Sequence, residues 1–541
     1  MNHLRKLIYN TAIATILVGS CNTDDLKELN VNPQAAPTID VNFLFTSAQL
    51  GVAAGGGPAY GDNRYIDWRT NIGVASTTIQ ELASDGGISN TGDKYLDNFE
   101  SYTAPWDILY ANLNYLGEIL RQTGPGGFAE GQNNNTRQAA RILKAFAFHR
   151  LTDYYGRIPY FDALQAPEGT VFPHYDKQKD VYLDLMKELD EAAVAFTTDA
   201  DPDFASADIY YHGDVTKWKK WSYSLMLRLA MRISTVDAAD ANTYVAKAVA
   251  GGVFQSNDDN TLVPMAVGPS LWTNQNGISR AYIPGDGGEI ANAFLSKVFV
   301  DFLKGSDATS TADDDPRLMI LGGGIYSWTS EDNYTPITLD PLAQKGMPNG
   351  KDINMLKTIE NNPNLDPTTT YSRMSPKLLN RDDPYMLMNY GEVELLLAEA
   401  AQRGIGGLTA SAAQGHYNAG VKASMQMYTI YDPSFVVSDA QVTTYLAAHP
   451  YGVEKPALEM IGDQYWVNHF LNWWEAWSNW RRTGYPVLVP VNYPGNVTGG
   501  KIFQRLRYPS SEVAGNPNYA DVAGQDDYLK QQKVWWAGGP E

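Results

Sequence analysis

Apolar side chains recur every three or four residues through much of the chain. In "KDVYLDLMKELDEAAVAF" (179–196) they fall on Val181, Leu185, Leu189, Ala192 and Phe196, with charged residues between them, which predicts one buried stripe of a helix. "TRQAARILKAFAFHRLTDYYGRIPY" predicts a second helix from Thr136 to about Tyr155, closed by Gly156 and kept from continuing by Pro159. Further helices fit Thr216–Ile233 and Ala241–Ala250. "YGEVELLLAEAAQRG" (390–404) and "SAAQGHYNAGVKASM" (411–425) form a helix pair around a glycine-rich turn. The C-terminal "QYWVNHFLNWWEAWSNWRRTGYP" (464–486) sets Trp466, Phe470, Trp473, Trp477 and Trp480 on one continuous helical face, with Trp474 off it. That spacing reads as core rather than as a sugar platform. Arg481 and Arg482 then serve buried carboxylates.

The helix pairs have small residues where helices meet, as in "AEAAQRG" and at Ala413 and Gly420, and the texture is that of degenerate tetratricopeptide units. No strict 34-residue register survives, so a generic α-helical protein is the plainer alternative. Between Gly251 and Pro384 the periodicity fades into Gly, Pro, Asn, Asp and Thr, with aromatics off any helical period: Trp272, Tyr282, Tyr326, Trp328, Tyr334 and Tyr371. One helix, about Glu289–Leu303, interrupts it; the rest predicts loops and short strands packed on the helices. The stretches 55–68 and 90–106 have the same loop-rich texture. The fold class is therefore mainly α, with a loop-rich, partly irregular insert at about 251–384.

The N-terminus carries a different pattern. Arg5 and Lys6 precede an apolar run from Ala12 to Val18 and the small residues Gly19 and Ser20, the layout of a secretory signal peptide over 1–20. The run is too short to span a bilayer. "LVGSC" (17–21) looks like a bacterial lipobox, with Cys21, the one cysteine in the chain, as the acylated residue; an ordinary cleaved signal followed by a buried cysteine is the other reading. Residues 21–37 then form anchor and tether, and 38–541 a single domain. A lone cysteine makes no intramolecular disulfide, so a large core must supply stability. The formal net charge of −20 repels nucleic acid and anionic lipid.

"EAWSNWRRTGYP", "IFQRLRYPSSEVAGNPNY" and the late "KVWW" resemble the C-terminal signature of the SusD/RagB family. "LNVNPQAAPT", "RILKAFAFHRLTDYYGRIPY" and "EVELLLAEAAQRG" match its other landmarks in order. The resemblance, to the SusD-like branch of nutrient-binding lipoproteins, runs from Cys21 almost to Glu541. It implies tetratricopeptide-like helix pairs, a variable loop-rich ligand portion, a lipid anchor at the outer membrane facing the cell surface, and a SusC-like TonB-dependent barrel over which the protein sits as a hinged lid. The implied ligand is an oligosaccharide; a peptide, as for a RagB-like lid, is the alternative.

An enzyme or a bare scaffold are the rival classes. There is no HExxH, GxSxG or phosphate-binding glycine loop, and none of the seven histidines pairs with another at metal-ligand spacing. A surface glycosidase would need two convergent carboxylates, which sequence does not reveal. No catalytic residue, cofactor or metal is expected; the acidic runs at 258–259 and 313–315 lack EF-hand spacing and read as solvated loops. Against a pure scaffold stand the insert's aromatics. Flat rings flanked by Asn, Asp and Gln suit the C–H faces and hydroxyls of saccharides. The candidate ligand-binding residues are Trp272, Tyr282, Tyr326, Trp328 and Tyr334, with Trp68 and Trp106 in reserve. Tyr326 and Trp328, two apart in "GGGIYSWTSEDNY", project from one side of an extended segment. They either span neighbouring sugar units, with Asp332 or Asn333 meeting hydroxyls, or pack a strand onto the helices.

Overall fold

The computed structural model describes residues 39–54, 65–86, 91–198, 202–269, 274–284, 293–307 and 309–541. The signal segment, Cys21 and the tether lie outside them, as does Trp272. The chain divides into Met1–Asp40 and Val41–Glu541, and the second unit holds all the elements named here.

Helices dominate: α1 (Val41–Ala54), α2 (Phe99–Thr123), α3 (Asn134–Tyr155), α4 (Gln178–Ala195), α5 (Val215–Ile233), α6 (Ala238–Gly251), α7 (Tyr390–Arg403), α8 (Ala410–Gln426), α9 (Asp439–Ala448), α10 (Ala457–Asn468) and α11 (Trp473–Thr483). From α1 to α6 each helix packs on the next; α7 packs on α8 and α10, and α8 on α9. The predicted periodicities account for α3 to α8 of this order. Val181, Leu185, Leu189 and Ala192 are fully buried along α4. α3 stops at Gly156, whose φ of +79° suits a residue without a side chain. Asp214 caps α5 by accepting from the Thr216 and Lys217 amides. The α7–α8 approach depends on Gly420, where a Cβ would lie 2.8 Å from Leu395 Cγ.

Ion pairs tie these helices together where no water reaches. Arg228 of α5 donates to both Glu392 oxygens of α7, at 2.6 and 2.7 Å, and His469 faces the same carboxylate at 3.1 Å. Burial opposes ionisation of Glu392, but Arg228 and His469 outweigh it and hold the carboxyl well below its usual range. Arg232 reaches Glu475 of α11, and Tyr182 of α4 donates to Asp153 of α3.

Three two-stranded antiparallel ribbons complete the unit. β1 (Leu82–Ser84) pairs with β3 (Ala293–Leu295), β2 (Thr261–Val263) with β6 (Tyr385–Met388), and β4 (Ile325–Ser330) with β5 (Asn333–Thr338). The β2–β6 ribbon joins the two ends of the loop-rich insert, with Val263 opposite Tyr385.

Four local expectations are corrected. Of the helix expected at about Glu289–Leu303, 289–292 lie outside the described residues and Lys297–Leu303 is helical, because 293–295 pair with β1 and Ser296 caps the helix through the Phe299 amide. The 90–106 stretch is helical from Phe99, capped by Asn98, and Tyr65 and Ile66 lead into a π-helical segment, Asp67–Ser76. The tryptophan face is not continuous: Leu471 adopts a φ of +79° between α10 and α11. Its residues are core nonetheless, apart from half-buried Trp480, and Trp474 is buried too, edge-on to Phe146. Arg482 pairs with Glu399 at 2.5 Å as expected, whereas Arg481 donates to the Asp153 and Gln504 carbonyls.

Candidate functional site

The hairpin β4–β5 carries three of the predicted ligand residues. Two glycines with positive φ, Gly323 and Gly324, turn the chain into β4; a Cβ on Gly324 would meet the Thr338 carbonyl at 2.8 Å. Trp328 lies opposite Tyr334 in the register, and alternation places Tyr326 on the same side as Trp328. Tyr334 stands across both, its ring 6.0 Å from Tyr326 and 6.2 Å from Trp328 in edge-on geometry. Tyr282 adds a fourth ring, 5.8 Å from Trp328. The structure thus gathers Tyr282, Tyr326, Trp328 and Tyr334 into one cluster.

Their exposures differ. Tyr282 is fully buried and donates to the Ala293 carbonyl at 2.5 Å. Burial pushes its phenol up, and Arg373 partly offsets that. Tyr326 is buried and donates to the Gly323 carbonyl; burial and then Tyr334 push its phenol up to about 12. Trp328 is 6 % exposed, and its indole N–H donates to the Ser330 carbonyl at 2.9 Å. The Arg373 guanidinium lies 5.5 Å from its ring. Tyr334, 38 % exposed, presents ring surface to solvent. Asp332 and Asn333 beside it are exposed, and Glu331 pairs with Arg381 at 3.0 Å. Tyr326 and Trp328 therefore brace Tyr334, with Tyr282 behind Trp328. A ring held this way next to exposed carboxylate and amide side chains can stack on an apolar face while its neighbours exchange hydrogen bonds with hydroxyls. Sequence reading found the aromatics through their break from helical period; Arg373 and Arg381 come from a segment with no such signal.

The reserve candidates part company. Trp68 is buried in the π-helical segment, against which the short helix Gly277–Tyr282 packs. Arg69 stacks on its ring at 3.6 Å and pairs with Glu100 at 2.8 Å. Trp106 belongs to a different aromatic group, on α2.

Among the described residues, one cluster brings three possible metal ligands within 4.8 Å of one another: His149, Asp153 and Glu475. Arg232 lies 3.6 Å from Asp153 and also bonds Glu475. Burial, reinforced by Arg228 and Arg232, pushes the His149 imidazole well below its usual range. A cation there would face guanidinium groups, so the cluster is an internal ion network. The acidic runs likewise have partners: Lys220 donates to Asp259 at 2.9 Å, and Arg317 to Asp315 at 2.6 Å.

With this geometry described, comparison with known proteins gives the family. The sequence profile of the SusD-like family, described as "Starch-binding associating with outer membrane", matches residues 67–509. The chain belongs to the SusD/RagB family. Among solved structures it is similar to a chitin-binding protein, at 30 % identity and a TM-score of 0.76, covering 92 % of this chain and 100 % of that one. A Bacteroidetes AC2a SusD-like protein has 25 % identity and a TM-score of 0.76, with 92 % and 100 % covered. A chitin-binding SusD homologue from Flavobacterium johnsoniae shares the fold at 23 % identity and a TM-score of 0.69, with 92 % and 99 % covered. The comparison with curated proteins gives no match. Among the described residues no helix is long and apolar enough to cross a membrane.

Proposed function

We propose that this chain is a lipid-anchored outer-membrane protein that captures oligosaccharides at the cell surface and delivers them, as a hinged lid, to a SusC-like TonB-dependent transporter. Cys21 carries the acyl anchor, residues 21–37 are the tether, and 38–541 are one binding unit without catalytic residues. Family membership and the chitin-binding relative support the ligand class. The observation that carries the reading is Tyr334, a partly exposed ring held edge-on by Tyr326 and Trp328 and preceded by the exposed Asp332 and Asn333. A sugar stacked on it would meet Asp332 and Asn333, while Tyr282, Tyr326 and Trp328 keep the platform from yielding. Trp272, outside the described residues, is a further platform of the same reading. Because the lid is tethered beside its barrel, high effective concentration lets modest affinity suffice.

The test is calorimetric titration of the full chain with maltohexaose, chitohexaose and a panel of oligopeptides. Tyr334→Ala is expected to weaken saccharide binding roughly two- to tenfold, with the melting temperature unchanged. Binding of peptides alone would move the ligand class to peptide. Unaltered saccharide affinity in Tyr334→Ala would remove the hairpin from the site.

A further inference from the structure

A second groove on the same unit has the chemistry of a saccharide site. It is a cavity of about 420 Å³ between α2, the loop that follows α3 and the segment 511–516, a size that suits small ligands. Trp106 and Tyr110 line it from α2, Phe172 and Asp162 from the loop, and Glu512 from the C-terminal segment. From these contacts we infer that the groove binds a neutral oligosaccharide, giving the protein a second hold on a long chain; the inference rests on the saccharide reading above.

The aromatic wall is fixed in advance. Trp106 meets Tyr155 edge-on at 5.1 Å and Tyr508 edge-on at 5.9 Å, and lies nearly parallel to Tyr175 at 6.2 Å. Tyr110 packs 4.9 Å from Trp106, and its hydroxyl is committed to the Pro159 carbonyl at 2.7 Å. Its ring, and not its hydroxyl, is what a ligand would meet. Phe172 is 53 % exposed, and beside it Val171 is 66 % exposed. Solvated apolar surface next to a formed cavity is costly to leave unused.

The polar lining selects the ligand. Asn114 is exposed on α2. Glu512, which lines the cavity, accepts from the Tyr175 hydroxyl at 2.5 Å through one oxygen. Asp162 accepts from the His174 amide at 3.3 Å. Among the described residues no lysine or arginine lines the cavity, so an anionic sugar or phosphate would find carboxylates and no counterion there. Apolar ring faces, carboxylate acceptors and an amide are what an uncharged pyranose chain requires. Two such sites on one polymer bind with an avidity neither has alone.

The experiment titrates the full chain in detergent with maltohexaose and chitohexaose, using Phe172→Ala, Tyr334→Ala and the double variant. Phe172 is exposed, so its loss should leave the melting temperature in place. The expected result is that Tyr334→Ala retains residual binding, Phe172→Ala alone weakens the titration roughly two- to tenfold, and the double variant binds neither sugar. Wild-type affinity in Phe172→Ala, with binding abolished by Tyr334→Ala alone, overturns the second groove and spares the hairpin. Unaltered sugar binding in Phe172→Ala with loss of association to a purified SusC-like barrel makes the apolar rim a protein contact and also overturns it. A wild-type chain that binds neither sugar overturns both readings.

Discussion

Trp477 shows how a single side chain serves several elements at once. It is fully buried in α11, its indole N–H donates to the Phe503 carbonyl at 3.0 Å, and the Arg481 guanidinium lies 4.2 Å from its ring. Truncation leaves a large void and an unpaired carbonyl where no water enters. Trp477→Ala is expected to cost about 3–5 kcal/mol, read from urea denaturation; a folded variant that lost only ligand binding would make the stripe a platform. The helical spacing of the tryptophans carried this assignment in sequence. The same spacing left Trp474 off the stripe, yet it is buried against Phe146 and His149 because the chain breaks at Leu471 and α11 starts on a new phase. A left-handed leucine is set by surrounding packing, which periodicity does not encode. Tyr282 and Trp328 follow the same logic. They stand out in sequence because they break period, but only the fold reveals that they support Tyr334 from within.

Between elements, the clearest pH-dependent contact is His449 at the end of α9. Its Nδ1 lies 3.2 Å from a Glu454 oxygen and its Nε2 2.9 Å from the Asp313 carbonyl, so both nitrogens face acceptors and both bonds require the imidazolium. Burial lowers its proton affinity, but these two bonds and the Glu454 and Asp313 charges outweigh it, and the net shift is above 6.5. A histidine raised in the folded state contributes stability that is full below the unfolded value of 6.5 and lost as pH rises through the folded one. The wild-type melting temperature should therefore fall between pH 6 and 8 by more than that of His449→Asn, measured in parallel thermal scans. Equal slopes in the two proteins would show that the contact does not form. Nothing in the sequence pairs His449 with Asp313, 136 residues earlier. α2, the longest helix, begins inside a stretch whose Gly, Asp, Asn and Pro read as loop, whereas α3 to α8 were legible because each carries its own stripe. The ribbons were not, because three-residue strands such as β1 and β3 owe their existence to a distant partner.

At the scale of the whole molecule, family membership was readable because its motifs mark helix ends and close approaches. Gly156 ends α3, and Gly420 lets α7 and α8 meet, whatever the ligand. The candidate site lies instead on a hairpin and a short helix whose aromatic side chains answer to one another. The proposed anchoring is the property of the whole with the most direct signal in the sequence. In "LVGSC" the cysteine follows a short apolar run and two small residues, and the −20 charge of the chain gives no attraction to an anionic surface that could replace a lipid. Several acyl chains, each contributing about 0.8 kcal/mol per buried methylene, hold such a protein on a bilayer essentially without release. Cys21→Ala should thus move the protein from the membrane pellet to the soluble fraction. Its melting temperature and its affinity for maltohexaose or chitohexaose should stay the same, since the elements of the binding unit begin at Val41. On the proposed lid role, cells carrying the variant should nonetheless take up less oligosaccharide, because an untethered lid would lose its effective concentration at the barrel. A Cys21→Ala protein that still sediments with membranes after a high-salt wash would refute the acyl anchor and leave the ordinary cleaved signal as the better account of residues 1–20.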